Sequence, residues 1–213
     1  MNSTRQLFLA SCAVVASALE DNAVAAAWDK PSVLDEQSVG ALAAHLAGGS
    51  WIPLDALAAG IPEGDATLDS AADYFATLLV LATEEMHAGI RERGTQGAVA
   101  GGPTIAAAMR SKIAELTSAL SEEPEDRLVT VYGGFVMTLD AFLETRLVEH
   151  VVHLDDLARS IGREPWPNAA GADDLVISIG TDIGRRRYGD TATVRALFRG
   201  AHSDSPFANG VTA

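Results

Sequence analysis

The residues with the plainest capacity for chemistry lie in one stretch, Arg146-Leu147-Val148-Glu149-His150-Val151-Val152-His153-Leu154-Asp155-Asp156. On a helix turning about 100° per residue, Glu149 and His153 stand about 40° apart and Asp156 returns to within about 20° of Glu149. His150 points about 100° away, and Asp155 is likewise off that face. A carboxylate and an imidazole at i, i+4 can meet one cation, as histidine pairs do in zinc proteases. The same spacing also makes an ordinary surface pair contributing a few tenths of a kcal/mol. Asp156 is spaced to accept the outer proton of His153 and fix its tautomer, or to stand as a plain surface acid. Arg146, three residues before Glu149, is spaced for a salt bridge that would compete with metal binding by that carboxylate.

A third ligand comes from elsewhere in the chain. His45 follows Leu42 by three on the core-facing edge of an apolar segment, where a lone histidine is ordinarily a core or rim residue. If the two helices are neighbours, His45, Glu149 and His153 form a two-nitrogen, one-oxygen set with room for a fourth ligand, as in catalytic zinc sites. A divalent ion so held keeps net positive charge and can lower the pKa of a bound water or thiol.

The elements that must position these residues are helical. Apolar spacing predicts helices over about 3–27, 38–49, 67–94, 103–123, 138–162, 173–188 and 191–199. Ser38 is the expected N-cap of the second, with Gly48-Gly49 as its stop. The segment 127–137 is rich in β-branched residues and reads as a short strand or extended connection. Helix after helix joined by loops argues an all-α bundle. Residues 201–213 are polar and expected to be disordered.

Composition bounds the partners. The 213-residue chain is 48% hydrophobic, enough for one core, and carries 15 Lys and Arg against 29 Asp and Glu, a net charge of −14. That field repels phosphate backbones and anionic lipid, so neither a nucleic acid nor a membrane is expected as partner. A small-molecule substrate is, and a homodimer is a compatible assembly. One cysteine, Cys12, excludes an intrachain disulfide and a cysteine cluster, which fits a reducing cytoplasm. The apolar run 7–19 has the look of a secretory leader, but Glu20, Asp21 and Asn22 interrupt it and its helical spacing favours a folded helix. The glycines of 97–102 lack the Gly-Lys-Ser/Thr of a phosphate loop, and no Gly-x-Ser-x-Gly elbow is present. His87, beside Glu84-Glu85, reads as part of a solvated face, and Arg185, Arg186, Arg187, Arg195 and Arg199 as partners of the acidic surplus or of a substrate carboxylate.

Several motifs carry a resemblance: Trp28-x-x-Pro31-Ser32-x-Leu34, Ser38-Val39-Gly40, Ala44-His45-Leu46, and Arg146-x-x-Glu149-x-x-x-His153-x-x-Asp156-Leu157 with Ile161-Gly162. Over residues 1–165 the chain resembles the N-terminal domain of mycothiol-dependent maleylpyruvate isomerase, within the DinB-like superfamily of metal-binding four-helix bundles. The resemblance implies a DinB-like bundle over 1–165, with additional C-terminal helices over 166–200 packed on it. It places the metal ligands on His45, Glu149 and His153, around zinc, with nickel as second choice. The activity it implies is isomerisation or S-transfer, in which the ion activates the thiol of mycothiol for attack on a small electrophilic substrate. Two departures stand out. About 50 residues follow Gly162, too few for the isomerase's second domain, and Asp35-Glu36-Gln37 stands where relatives often read Pro-Gly-Trp. Two other readings share the sequence: a mycothiol-independent metal hydrolase, lyase or tailoring enzyme, and a non-catalytic helical binding bundle.

Overall fold

The computed structural model describes residues 1–199, so the expectation for 201–213 lies outside the described residues. Among them the chain forms nine α-helices and one small hairpin. These are α1 Ser3–Leu19, α2 Asn22–Ala26, α3 Val39–Ala58, α4 Ala71–Leu81, α5 Glu84–Ala98, α6 Gly102–Glu122, α7 Leu139–Ser160, α8 Ala172–Tyr188 and α9 Asp190–Arg199. Strands β1 Leu128–Thr130 and β2 Val136–Thr138 pair antiparallel, Val129 opposite Met137. The fold is all-α, as the periodicity predicts.

Four helices make the core. Going round the bundle, α1 packs on α7, α7 on α3, α3 on α6 and α6 back on α1. Phe8, Cys12, Val15, Leu42, Leu46, Met109, Leu116, Leu120, Leu143, Leu147 and Leu154 fill the space between them, each at most 2% exposed. α5 lies along α3, while α4 joins α7 to α8. Polar side chains start most of these helices: Asn2, Ser38, Ser70, Thr83 and Thr138 each accept a backbone N–H of the first turn.

The structure corrects three predicted boundaries. The first helix ends at Leu19, and Asp21 accepts the N–H of Ala23 to start the separate α2. The third divides at Ala82, whose ψ of 131° is extended, after which Thr83 caps α5. Most telling is α3, which runs through Gly48-Gly49 to Ala58 with Pro53 inside it. Glycine ends a helix by adopting positive φ, and neither of these two does so. Pro53 removes one helical hydrogen bond, a local cost of about 3 kcal/mol in a free helix. Burial of Leu46, Ala47, Ser50, Pro53 and Ala56 on one continuous face keeps the helix going.

The start of α3 is fixed by Trp28. Its Nε1 donates to the Ala98 carbonyl at 3.2 Å, and the Gly40 N–H donates to the Trp28 carbonyl at 2.8 Å. A Cβ at Gly40 would fall 2.6 Å from the Trp28 ring, so the indole lies flat against backbone that only glycine leaves open. An isolated bridge between Pro31 and Ser38 closes the intervening loop. The Trp-Pro-Ser block thus sets the register of the helix that carries His45.

Candidate metal centre

α3 and α7 pack side by side, and each supplies part of one polar cluster. From α3 comes His45, two turns after its Ser38 cap. From α7 come Glu149 and His153, one turn apart on the same face. The Nε2 atoms of His45 and His153 both lie 3.4 Å from Glu149 Oε2, and the two imidazoles stand at 82° to one another with centroids 5.2 Å apart. One ligand atom from each of the three residues falls within 4.8 Å of the others. The side chains are 28%, 23% and 19% exposed for His45, Glu149 and His153, so the cluster is recessed but reachable.

The donor set fits a divalent ion. Ligand atoms at about 2.0–2.1 Å from a tetrahedral zinc stand about 3.3 Å from one another, close to the nitrogen-to-oxygen spacing here. Three donors, two imidazoles and one carboxylate, would leave a coordination position over.

The surroundings orient and charge these side chains. His153 Nδ1 donates to Asp156 Oδ2 at 3.0 Å, which turns its Nε2 toward Glu149. Burial disfavours the His153 cation, but the hydrogen bonds and charges of Asp156 and Glu149 outweigh it and raise its pKa to about 9. Burial likewise works against ionised Glu149, yet contacts with His153 and His45 and the Arg146 charge hold its carboxyl well below the usual range. Glu149 is therefore anionic, the state a metal ligand requires, whereas His153 would have to give up its Nε2 proton to an incoming ion.

Arg146 makes no ion pair with Glu149 within 4.0 Å among the described residues. Its Nε donates to Thr145 Oγ1 at 3.0 Å, and its guanidinium lies 5.2 Å from the centre of the Phe142 ring. The competing salt bridge is thus not formed, and Glu149 is left to face the histidines.

Other singled-out residues lie elsewhere. His87 is exposed on α5. Arg186 pairs with Asp73 at 2.7 Å, tying α8 to α4, and Arg185 pairs with Asp182 and Asp190. Cys12 is fully buried, and burial pushes its thiol far up.

Sequence reasoning missed His150. It is turned from the cluster into the core at 0% exposure, where Ser50 and Ser11 bind its two ring nitrogens and Phe8 stacks on it at 5.6 Å. Burial, with the nearby Arg146 charge, lowers its pKa to about 3 and keeps it neutral. A signal was present: Leu143, Leu147, His150, Leu154 and Leu157 recur at spacings of four and three, so His150 occupies a place in the core stripe.

The model of the mycothiol maleylpyruvate isomerase N-terminal domain family matches residues 8–158, from α1 through nearly all of α7. The chain belongs to that family. The match contains the Trp28 buttress, all three candidate ligands, Asp156 and most of the four-helix core. No curated protein and no solved structure matches the chain. No helix among the described residues is long and apolar enough to cross a membrane.

Proposed function

We propose that His45, Glu149 and His153 hold one divalent ion, zinc or secondarily nickel, in a mycothiol-using isomerase or S-transferase acting on a small electrophilic substrate. The convergence of two imidazole Nε2 atoms on one carboxylate oxygen at 3.4 Å is the observation that carries this reading. Bound there, such an ion lowers the pKa of a thiol or water in its remaining position. The chain's own residues supply the rest. Glu149 contributes the ligand charge, Asp156 orients His153, and the Arg146 cation favours ionised Glu149 without bonding to it. Cys12 is sealed in the core, so a reacting thiol is that of a cosubstrate. The single cysteine is compatible with a reducing cytoplasm, where a thiol cosubstrate would be kept reduced.

Elemental analysis of the purified untagged protein and of His153→Ala tests the metal centre. About one equivalent of divalent metal in the first and none in the second is the expected result. Loss of turnover when mycothiol is omitted then distinguishes this reading from a mycothiol-independent hydrolase or lyase. No metal in either protein after incubation with zinc and nickel overturns the metal centre and leaves a binding bundle.

A further inference from the structure

Three buried polar side chains outside the metal cluster form a directed chain. Ser50 Oγ donates to the Leu46 carbonyl at 2.9 Å and so has spent its only proton. The 2.9 Å contact between Ser50 Oγ and His150 Nε2 therefore has the ring N–H as donor. A neutral imidazole carries one proton, which leaves Nδ1 an acceptor, and Ser11 Oγ, 3.0 Å away, donates to it. The sequence of donors runs Ser11, His150, Ser50, Leu46 carbonyl. It passes from α1 through α7 to α3, every member is at most 2% exposed, and every polar side-chain atom in it is satisfied.

Its position gives it a second meaning. Leu46 adjoins His45, and His150 adjoins Glu149. The Ser50–His150 link joins α3 to α7 close to the ligands each helix presents, whereas the Ser11–His150 link joins α7 to α1, which carries no ligand. Packing of leucine against leucine tolerates sliding, but a hydrogen bond in a dry core fixes distance and angle, because losing it strands a donor.

We infer that the Ser50–His150 hydrogen bond is a strut that sets the separation of His45 from Glu149 and His153, making His150 and Ser50 positioning residues for the metal centre. The inference rests on the metal reading above. Outer groups that orient ligands change metal affinity by about 10–100-fold when removed, and the strut belongs to that class.

The test compares two serine deletions in the full-length protein. Ser50→Ala and Ser11→Ala each strand one ring nitrogen of the same histidine, so they cost comparable stability, followed by thermal unfolding of the metal-free protein. Zinc affinity, read by competition with a chromophoric chelator, is expected to fall about tenfold or more in Ser50→Ala and to stay within about twofold of wild type in Ser11→Ala. The visible absorption of the cobalt-substituted protein is expected to change only in Ser50→Ala. Should that variant not fold, Ser50→Cys, near in size with a weaker hydrogen-bonding sulfur, carries the same expectation. A metal-binding wild type with unchanged affinity at position 50, or with equal losses at positions 50 and 11, overturns the strut alone. A wild-type protein that takes up no zinc overturns the strut together with the metal centre.

Discussion

Replacing Arg5 with methionine probes the end of the bundle formed by the N-termini of α1 and α7. Arg5 is 2% exposed, and its Nε donates to Asp140 Oδ1 at 2.7 Å, in the first turn of α7. Its two terminal nitrogens donate to the carbonyls of Leu120, Glu123 and Pro124 at 3.0, 2.6 and 2.7 Å, where α6 ends. One guanidinium thus closes a helix C-terminus and pairs with a helix N-terminal acid. Methionine keeps the apolar stem and removes all four bonds. Breaking a buried pair from one side costs about 3–5 kcal/mol. Asp140 is 21% exposed and can recover some hydration, so the lower end, about 3 kcal/mol, applies. With a urea slope of about 2–3 kcal/mol/M the unfolding midpoint should drop by about 1–1.5 M at unchanged slope. Adding Asp140→Asn should cost less in the Arg5→Met background than in wild type, since the acid has already lost its cationic partner and keeps only the Asn2 amide, 2.6 Å from Oδ2. A midpoint shift below about 0.3 M, which is under about 1 kcal/mol, would mean that the pair behaves as a surface bridge and that the capping argument is wrong.

Three further outcomes follow from other sites. Asp156→Asn, which keeps an acceptor for His153 Nδ1 but removes its charge, should weaken zinc binding about 10–100-fold in chelator competition, and an unchanged affinity would deny Asp156 its orienting role. Burial, and secondarily Asp140, raises the Glu144 carboxyl above its ordinary value, so folding favours its protonated form and that advantage is lost as pH rises through the shifted pKa. Glu144→Gln should accordingly be more stable than wild type at about pH 7 and no more stable at about pH 3, as urea midpoints at the two pH values will show. Cys12, buried with its thiol pushed far up, should resist a chromogenic disulfide reagent in the native protein and react once urea unfolds it; fast labelling of the folded chain would contradict its place in the core.

Sequence alone makes α7 readable, because the Thr138 cap and the apolar stripe agree along its length, and the Glu149–His153 pair is a matter of spacing on one helix. His45 is harder, since only the docking of α3 on α7 makes it a partner. The misplaced end of α3 has a clear origin. Gly48-Gly49 and Pro53 are local stop signals, but burial of Leu46, Ala47, Ser50 and Pro53 overrides them. Had α3 ended at Gly49, Ser50 could not have reached His150 from a helix. The buried polar chain was illegible for a related reason. Ser11, Ser50 and His150 each interrupt an apolar stripe, and each alone looks like a tolerated substitution. That the three interruptions meet is a fact of packing between helices, which no single periodicity contains.

The span between the candidate ligands bears on how the protein assembles. Glu149 and His153 sit on adjacent turns and are brought together as soon as α7 is helical, whereas His45 is 104 residues distant from Glu149. The entropy of closing so long a loop is recovered only when α3 docks. Two of the three candidate ligands are therefore available early in folding and the third only at the end, so full-affinity uptake of an ion at this site would be a late event. An ion held by all three would act as a non-covalent staple across the bundle, and its escape would signal the parting of α3 from α7 before any helix has melted.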